Sequence, residues 1–193
     1  MKKRIFDLIF ATIGIIFLLP VFLPVIILVW TQDFQNPFYI AKRVGKNKET
    51  FNMIKIRSMT VNADKSGVMS TSNDDIRITK IGKIIRKFKL DELSQILNVF
   101  RGDMSFVGPR PNVIEEVELY SKEELNLLSV RPGITDFSSI VFSDEGKILE
   151  GSENPDLDYN QLIRPGKSML GIFYVNNNNL ILDIKLIFLT ILS

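Results

Sequence analysis

Residues Leu8–Trp30, LIFATIGIIFLLPVFLPVIILVW, run for 23 positions without a charge. At 1.5 Å per residue a helix of that length reaches about 35 Å, enough to cross a bilayer core. The run is too long for a cleavable signal, and no small-residue cleavage site follows Trp30. A buried helix of a soluble protein is the plain alternative. Whether the segment crosses is a separate question. Lys2, Lys3 and Arg4 precede it, and Lys42, Arg43, Lys46 and Lys48 follow it. Positive residues that mark a cytoplasmic flank therefore stand on both sides. Pro20 and Pro24 lie inside the run, where each removes a helix hydrogen bond and favours a kink. A bent helix that enters and leaves on one face satisfies both features; a simple span is the other geometry the residues allow.

Outside this segment the chain reads as one modest domain. It has 193 residues, 46% hydrophobic and 24% charged, with a net charge of +2, which excludes disorder and gives no sign of nucleic acid. There is no Cys and no His. That removes the usual zinc ligand sets, thiol nucleophiles, disulfides and an imidazole base. Any chemistry falls to carboxylates, Lys, Arg, Ser or Tyr, with a hard cation held by oxygen as the remaining metal option. There is no GxGxxG, P-loop or GxSxG motif, so nucleotide binding by those folds is disfavoured.

Residues 38–60 read as short strands around a turn at Gly45–Lys46–Asn47, with alternation over Phe51–Arg57. Residues 61–75 are small and polar, as in a loop. From Ile76 to Phe88 the spacing predicts a helix with Ile78, Ile81, Ile85 and Phe88 on one stripe and Lys80, Lys83 and Lys87 on another. Such a basic amphipathic helix suits anionic lipid or phosphate, although a solvated charged face reads the same way.

Asp91 and Glu92 then open a second predicted helix, with Leu93, Ile96, Leu97 and Phe100 at core spacing. Acids in a first turn are commonly mere caps. Here they directly follow Arg86, Lys87 and Lys89, a setting suited to phosphate and metal. GDMSFVGPRPN (Gly102–Asn112) reads as a tight loop whose Gly and Pro fix the backbone around Arg110, a planar fork for phosphate oxygens. A helix is expected from Val113 to about Tyr120, and Ser121–Glu124 form a capping box that starts another. Arg131–Pro132–Gly133 is a turn, followed by mixed loop to about Asn160, and Asn176–Asn179 is another turn. Leu180–Ser193 is too short to span; its stripe of Leu180, Ile184, Ile187 and Ile191 either lies at an interface or packs on the core.

The segments KRIFD (3–7), IKIRSM (54–59), Arg77–Pro111, RPGIT (131–135) and LDIKLIFLTIL (182–192) occur in the order and spacing of the bacterial sugar transferase family. The chain resembles that family of small monotopic phosphoglycosyl transferases over nearly its whole length. The resemblance implies an α+β fold, mostly helical with a small β element. Residues 1–33 would be a re-entrant membrane helix, and 34–193 a cytosol-facing catalytic domain with amphipathic interfacial helices, at the bacterial inner membrane. It implies transfer of a sugar 1-phosphate from a UDP-sugar to a polyprenyl phosphate such as undecaprenyl phosphate. Asp91 would be the nucleophile and the contact to Mg²⁺, with Glu92 as its dyad partner. Arg57, Arg86 and Arg110 fall on family positions at the site, and Asp158 on a more loosely matched acidic one. Partners would be the donor, the lipid acceptor and membrane lipid, without nucleic acid; a homo-oligomer is left open.

Two features depart from the family pattern. Leu19–Pro20 stands where a Ser–Pro pair often breaks the membrane helix. After RPGIT the chain reads DFSSIVFSDEG (136–146), with Ser143 about where many members carry Arg, which points to a branch with its own sugar preference. A silent membrane adaptor, or a protein that only holds the polyprenyl carrier, would not need the Asp91–Glu92 pair. A multi-span phosphotransferase is excluded, because only one segment is long enough to span.

Overall fold

The computed structural model describes residues 2–66 and 70–192. The apolar run lies within one continuous helix, α1 (Lys2–Thr31), with Pro20 and Pro24 inside it. By length and composition this helix is able to cross a membrane. It does not project away from the rest of the chain. Asp7, Ala11, Phe22 and Val29 are buried, and Ile15, Leu18, Val25 and Ile26 pack beside them. These positions recur every three or four residues, so a single seam of the helix lies along the body. The opposite face stays open, including Ile9, Phe17, Leu23 and Ile27.

The body is mostly helical with two small sheets. Strands β1 (Phe38–Val44) and β2 (Thr50–Ile56) form an antiparallel hairpin from Phe38↔Ile56 to Val44↔Thr50. The predicted turn is there, with Asn47 at φ 55°. Met53, Ile54 and Ile56 are buried beneath α1 and the dyad segment. Helix α2 (Lys80–Lys87) starts four residues later than its periodicity suggests. Ile78 is taken by an antiparallel bridge to Met59, and Thr79 caps the helix by accepting from Gly82 N at 2.9 Å. Ile85 is buried as expected, whereas Phe88 is exposed. Of the loop expected at 61–75, residues 67–69 lie outside the described residues; the remainder forms turns and a short 3-10 segment, Ala63–Ser66.

Lys89 adopts a left-handed conformation (φ 52°) and breaks the chain between α2 and a 3-10 turn, Leu90–Gln95, which continues into α3 (Ile96–Arg101). The Gly102–Asn112 segment is more regular than the expected loop. It contains β3 (Ser105–Val107), paired in parallel with β4 (Gly133–Thr135). Pairing is that close because neither Gly108 nor Gly133 has a side chain: a Cβ on Gly133 would sit 2.1 Å from Gly108 N. Helix α4 (Ile114–Glu118) lies where predicted. The capping box forms reciprocally, Ser121 N to Glu124 Oε2 at 2.8 Å and Glu124 N to Ser121 Oγ at 3.2 Å, but it opens a 3-10 turn, Glu124–Ser129.

The stretch read as mixed loop carries three short helices: α5 (Phe137–Val141), α6 (Glu145–Ile148) and α7 (Pro155–Asp158). A π-turn, Tyr159–Ile163, leads into α8 (Arg164–Asn177), and α9 (Leu180–Leu192) follows. In α9 the stripe that could face either interface or core is split: Ile187 packs against the core. Asp183 and Leu186 are buried, while Ile184 and Ile191 are exposed. Asp183 sets this rotation, because its carboxylate meets Lys3 Nζ at 2.5 Å and the Tyr174 hydroxyl at 2.6 Å. A buried carboxylate requires such partners, so they outrank the apolar pattern.

Candidate active site

The 3-10 turn carrying the two acids is fastened to the hairpin by buried polar side chains. Ser94 Oγ donates to Ile54 O at 2.9 Å. Asn98, fully buried, accepts from Ile54 N at 3.0 Å and donates to Asn52 O at 2.8 Å. With β2 and α3 locked in this register, Lys55 arrives beside the dyad, and its Nζ donates to Glu92 Oε1 at 3.2 Å. Arg110 approaches from the loop after β3 and donates to the same oxygen at 3.0 Å. Burial alone would push Glu92 up, but the charges and hydrogen bonds of Arg110 and Lys55 bring its pKa down to about 2. Glu92 is a fixed anion. Glu92 in turn holds Arg110 firmly charged.

Asp91 is placed differently. Its side chain is buried, and among the described residues no other side chain hydrogen-bonds its carboxylate. Burial raises its pKa, Lys55 opposes that rise, and Glu92 adds to it. The result is a carboxylate of raised pKa that, among the described residues, accepts only from its own backbone N–H, a state that suits a nucleophile. Arg86, in the last turn of α2, is held by its Nε on Ser58 Oγ at 3.0 Å and feels the charge of Asp91. Asp91 thus feels two cations, Lys55 and Arg86, of which Lys55 is shared with the pinned Glu92.

The bacterial sugar transferase model matches residues 1–193. The chain belongs to the bacterial sugar transferase family. It is 36% identical to the exopolysaccharide production protein ExoY of Sinorhizobium fredii, covering 98% of this chain and 84% of that protein. It is 32% identical to the UDP-N-acetylgalactosamine-undecaprenyl-phosphate N-acetylgalactosaminephosphotransferase of Aeromonas hydrophila, and 33% identical to the UDP-glucose:undecaprenyl-phosphate glucose-1-phosphate transferase of Klebsiella pneumoniae. Each comparison covers 98% of this chain, but only 42% and 39% of those longer proteins.

Of the residues the sequence singles out, this sugar transferase brings Asp91, Glu92, Arg86 and Arg110 together. Arg57 is turned elsewhere. Its guanidinium makes a two-pronged pair with Asp33 at 2.5 and 2.7 Å and donates to Asn36 O at 2.9 Å, tying the end of α1 to the end of β2. Asp158 sits in α7, where it accepts from Ser152 Oγ, and it makes no hydrogen bond to the dyad. Lys55, which the sequence does not single out, is brought to the site by β2. Asn98 and Ser94, which set the register, are equally unmarked.

Among the described residues no group of three acidic side chains converges as a cage for a metal. Mg²⁺ usually takes only one or two protein carboxylates and completes its shell with substrate phosphates and water. The free carboxylate of Asp91 fits that mode, whereas Glu92 is already occupied by Lys55 and Arg110.

Proposed function

We propose that this enzyme transfers a sugar 1-phosphate from a UDP-sugar to a polyprenyl phosphate, with Asp91 as the nucleophile. The observation that carries this reading is the contrast within the dyad: Glu92 is pinned by two cations, while no other side chain hydrogen-bonds the carboxylate of its buried neighbour among the described residues. Attack by an Asp91 oxygen on the phosphorus bearing the sugar forms a new P–O bond. The bond to the bridging oxygen breaks, and UMP leaves with its electron pair. The polyprenyl phosphate oxygen then attacks the same phosphorus and expels the carboxylate, giving polyprenyl diphosphate-sugar. Two displacements replace one, each by an oxygen held in place.

Arg110 and Arg86 would balance charge on the phosphoryl oxygens, and Glu92 keeps Arg110 in position between turnovers. Mg²⁺ held by Asp91 and the donor phosphates would supply further charge neutralisation when bound. The acceptor reading rests on the relatives whose names specify undecaprenyl phosphate. It agrees with an apolar helix laid along the body, because a lipid acceptor is reached only at membrane level. The re-entrant geometry belongs to this same reading, with the domain on the cytoplasmic face of the inner membrane.

The test is UMP release from a panel of UDP-sugars by purified protein with undecaprenyl phosphate and Mg²⁺. Release from at least one donor is expected, falling to background in Asp91→Asn while the variant stays folded and membrane-bound. Turnover near the parent rate in that variant would remove Asp91 as the nucleophile.

A further inference from the structure

Strand β3 has one strand partner, β4, among the described residues. Its other ties are side chains of the helices around it. Asp7, in the second turn of α1, accepts at Oδ1 from Ser105 Oγ at 3.0 Å and from Phe106 N at 3.3 Å. The Tyr174 hydroxyl of α8 lies 3.1 Å from Val107 O and 2.6 Å from Asp183 Oδ1, and it accepts from Lys3 Nζ at 3.2 Å. Lys3 and Asp7 stand four residues apart, on one face of α1. Each residue of β3 is therefore held, directly or through Tyr174, from the start of the apolar helix.

Strand β3 runs into Arg110, and the link has little slack. Gly108 N donates to Thr135 O at 3.0 Å, and Pro109 O accepts from Gly133 N at 3.0 Å. The Pro109 ring fixes its own φ, and a Cβ on Gly108 would meet Arg131 O at 2.3 Å. No loop is there to absorb a shift of β3. Such a shift moves Arg110 relative to Glu92, to which Arg110 Nη2 donates at 3.0 Å. The dyad turn is held separately, by Ser94 and Asn98 on β2. Arg110 and the dyad thus reach the site on different supports, and Asp7 joins the support of Arg110 to α1.

Anchoring α1 does not by itself call for a carboxylate. Apolar contacts along the seam already seat the helix, and burying a charge is costly unless hydrogen bonds offset it. Both bonds of Asp7 go to β3, one of them from a backbone N–H that its loss would leave unpaired.

We propose that Asp7 is a positioning residue for Arg110: through β3 it sets the distance between that guanidinium and the Asp91–Glu92 turn. Seating of the apolar helix and assembly of the site are then one event. The inference rests on Arg110 acting at the phosphoryl group in the transfer reaction above; Asp7 itself touches no reacting atom.

The experiment joins steady-state UMP release with amide hydrogen exchange read by mass spectrometry, on the full chain in detergent. Asp7→Leu should lower kcat roughly 10- to 10²-fold, as about 1 Å of misplacement does. Asp7→Asn, whose carbonyl oxygen is able to accept both bonds, should stay within about threefold of the parent. In an Arg110→Gln background Asp7→Leu should cost less than about twofold, because nothing is left to position. Exchange in Asp7→Leu should quicken at residues 105–112 and stay unchanged over β2, which is held independently. Ser105→Ala removes one of the two bonds; it should give the same pattern at smaller size and decides the matter if Asp7→Leu does not fold. The proposal is overturned if Asp7→Leu turns over at the parent rate or if Asp7→Asn is equally impaired. An undiminished loss beside Arg110→Gln, or exchange that quickens equally throughout the chain, would also overturn it. Absence of UMP release by the parent would instead sink the transfer reading, and the exchange pattern alone then decides whether Asp7 holds β3 and Arg110.

Discussion

Asp91 and Glu92 are neighbours in sequence and opposites in electrostatic fate: Arg110 and Lys55 together hold Glu92 down, while at Asp91 Lys55 only opposes the rise that burial brings. Sequence marks the acids by their basic surroundings and Arg110 by its Gly–Pro frame. It does not mark Lys55, because a lone Lys on an alternating strand reads as solvent-facing. Its function depends on how β2 crosses the dyad turn, which Asn98 and Ser94 fix through backbone groups of Asn52 and Ile54. Arg57 shows the converse: the resemblance assigns it to the site, and the structure commits its guanidinium to Asp33. Lys55→Met should lower UMP release roughly 10²-fold, the usual cost of losing one placed cation or donor around a reacting phosphoryl group. Lys55→Arg should recover part of the loss, because charge rather than shape is what Glu92 and Asp91 sense. Steady-state kinetics on both variants decides this, and a Lys55→Met enzyme within twofold of the parent would release Lys55 from the site.

Among the elements, those with strong local signals were legible: the hairpin, α4, the capping box and α3, although the dyad expected to open that helix lies on the 3-10 turn before it. Their errors lie at the ends, where tertiary contacts compete with periodicity. Helix α2 loses Ile76 and Ile78 from its predicted start because Ile78 bridges to Met59 and Thr79 serves as the cap. The short strand β3 hides in a Gly–Pro segment because its partner, β4, is 28 residues away and parallel. Gly82 shows what holds α2 in place. A Cβ there would come within 1.8 Å of Ser58 O, so the helix touches the backbone that carries the Arg86 contact. Gly82→Ala should therefore destabilise the fold by about 1–3 kcal/mol, as overpacking does, despite the better helix propensity of Ala. A lower melting temperature with reduced turnover is the expected pair of results; unchanged melting would mean that α2 shifts freely and that Arg86 is not fixed by this contact.

At the scale of the whole molecule, what the sequence hides is the seam of α1. In a run that is apolar all round there is no polar contrast to mark a face, so periodicity is silent where the packing is most regular. The structure supplies what periodicity lacks: polar groups at one end and apolar groups at the other bind the same body. Arg4 donates to Val99 O at 2.6 Å and Phe100 O at 2.9 Å at the end of α3, and Asp7 accepts from Ser105 Oγ at 3.0 Å. Near the other end Val29 packs with Ile56 and Ile85. In the re-entrant geometry proposed above, the first and last residues of this helix stay on one side of the bilayer together with the body. Unseating it would strip Asp7 of its partners and expose the seam, and both changes oppose simple spanning. The chain has no Cys, so single cysteines at Lys2 and Asn36 give clean reporters. Both should resist a membrane-impermeant maleimide in intact cells and react in inverted membrane vesicles. Labelling of the Lys2 position from outside intact cells, with the Asn36 position protected, would mean that α1 crosses the bilayer and that its seat along the body is not kept in the membrane.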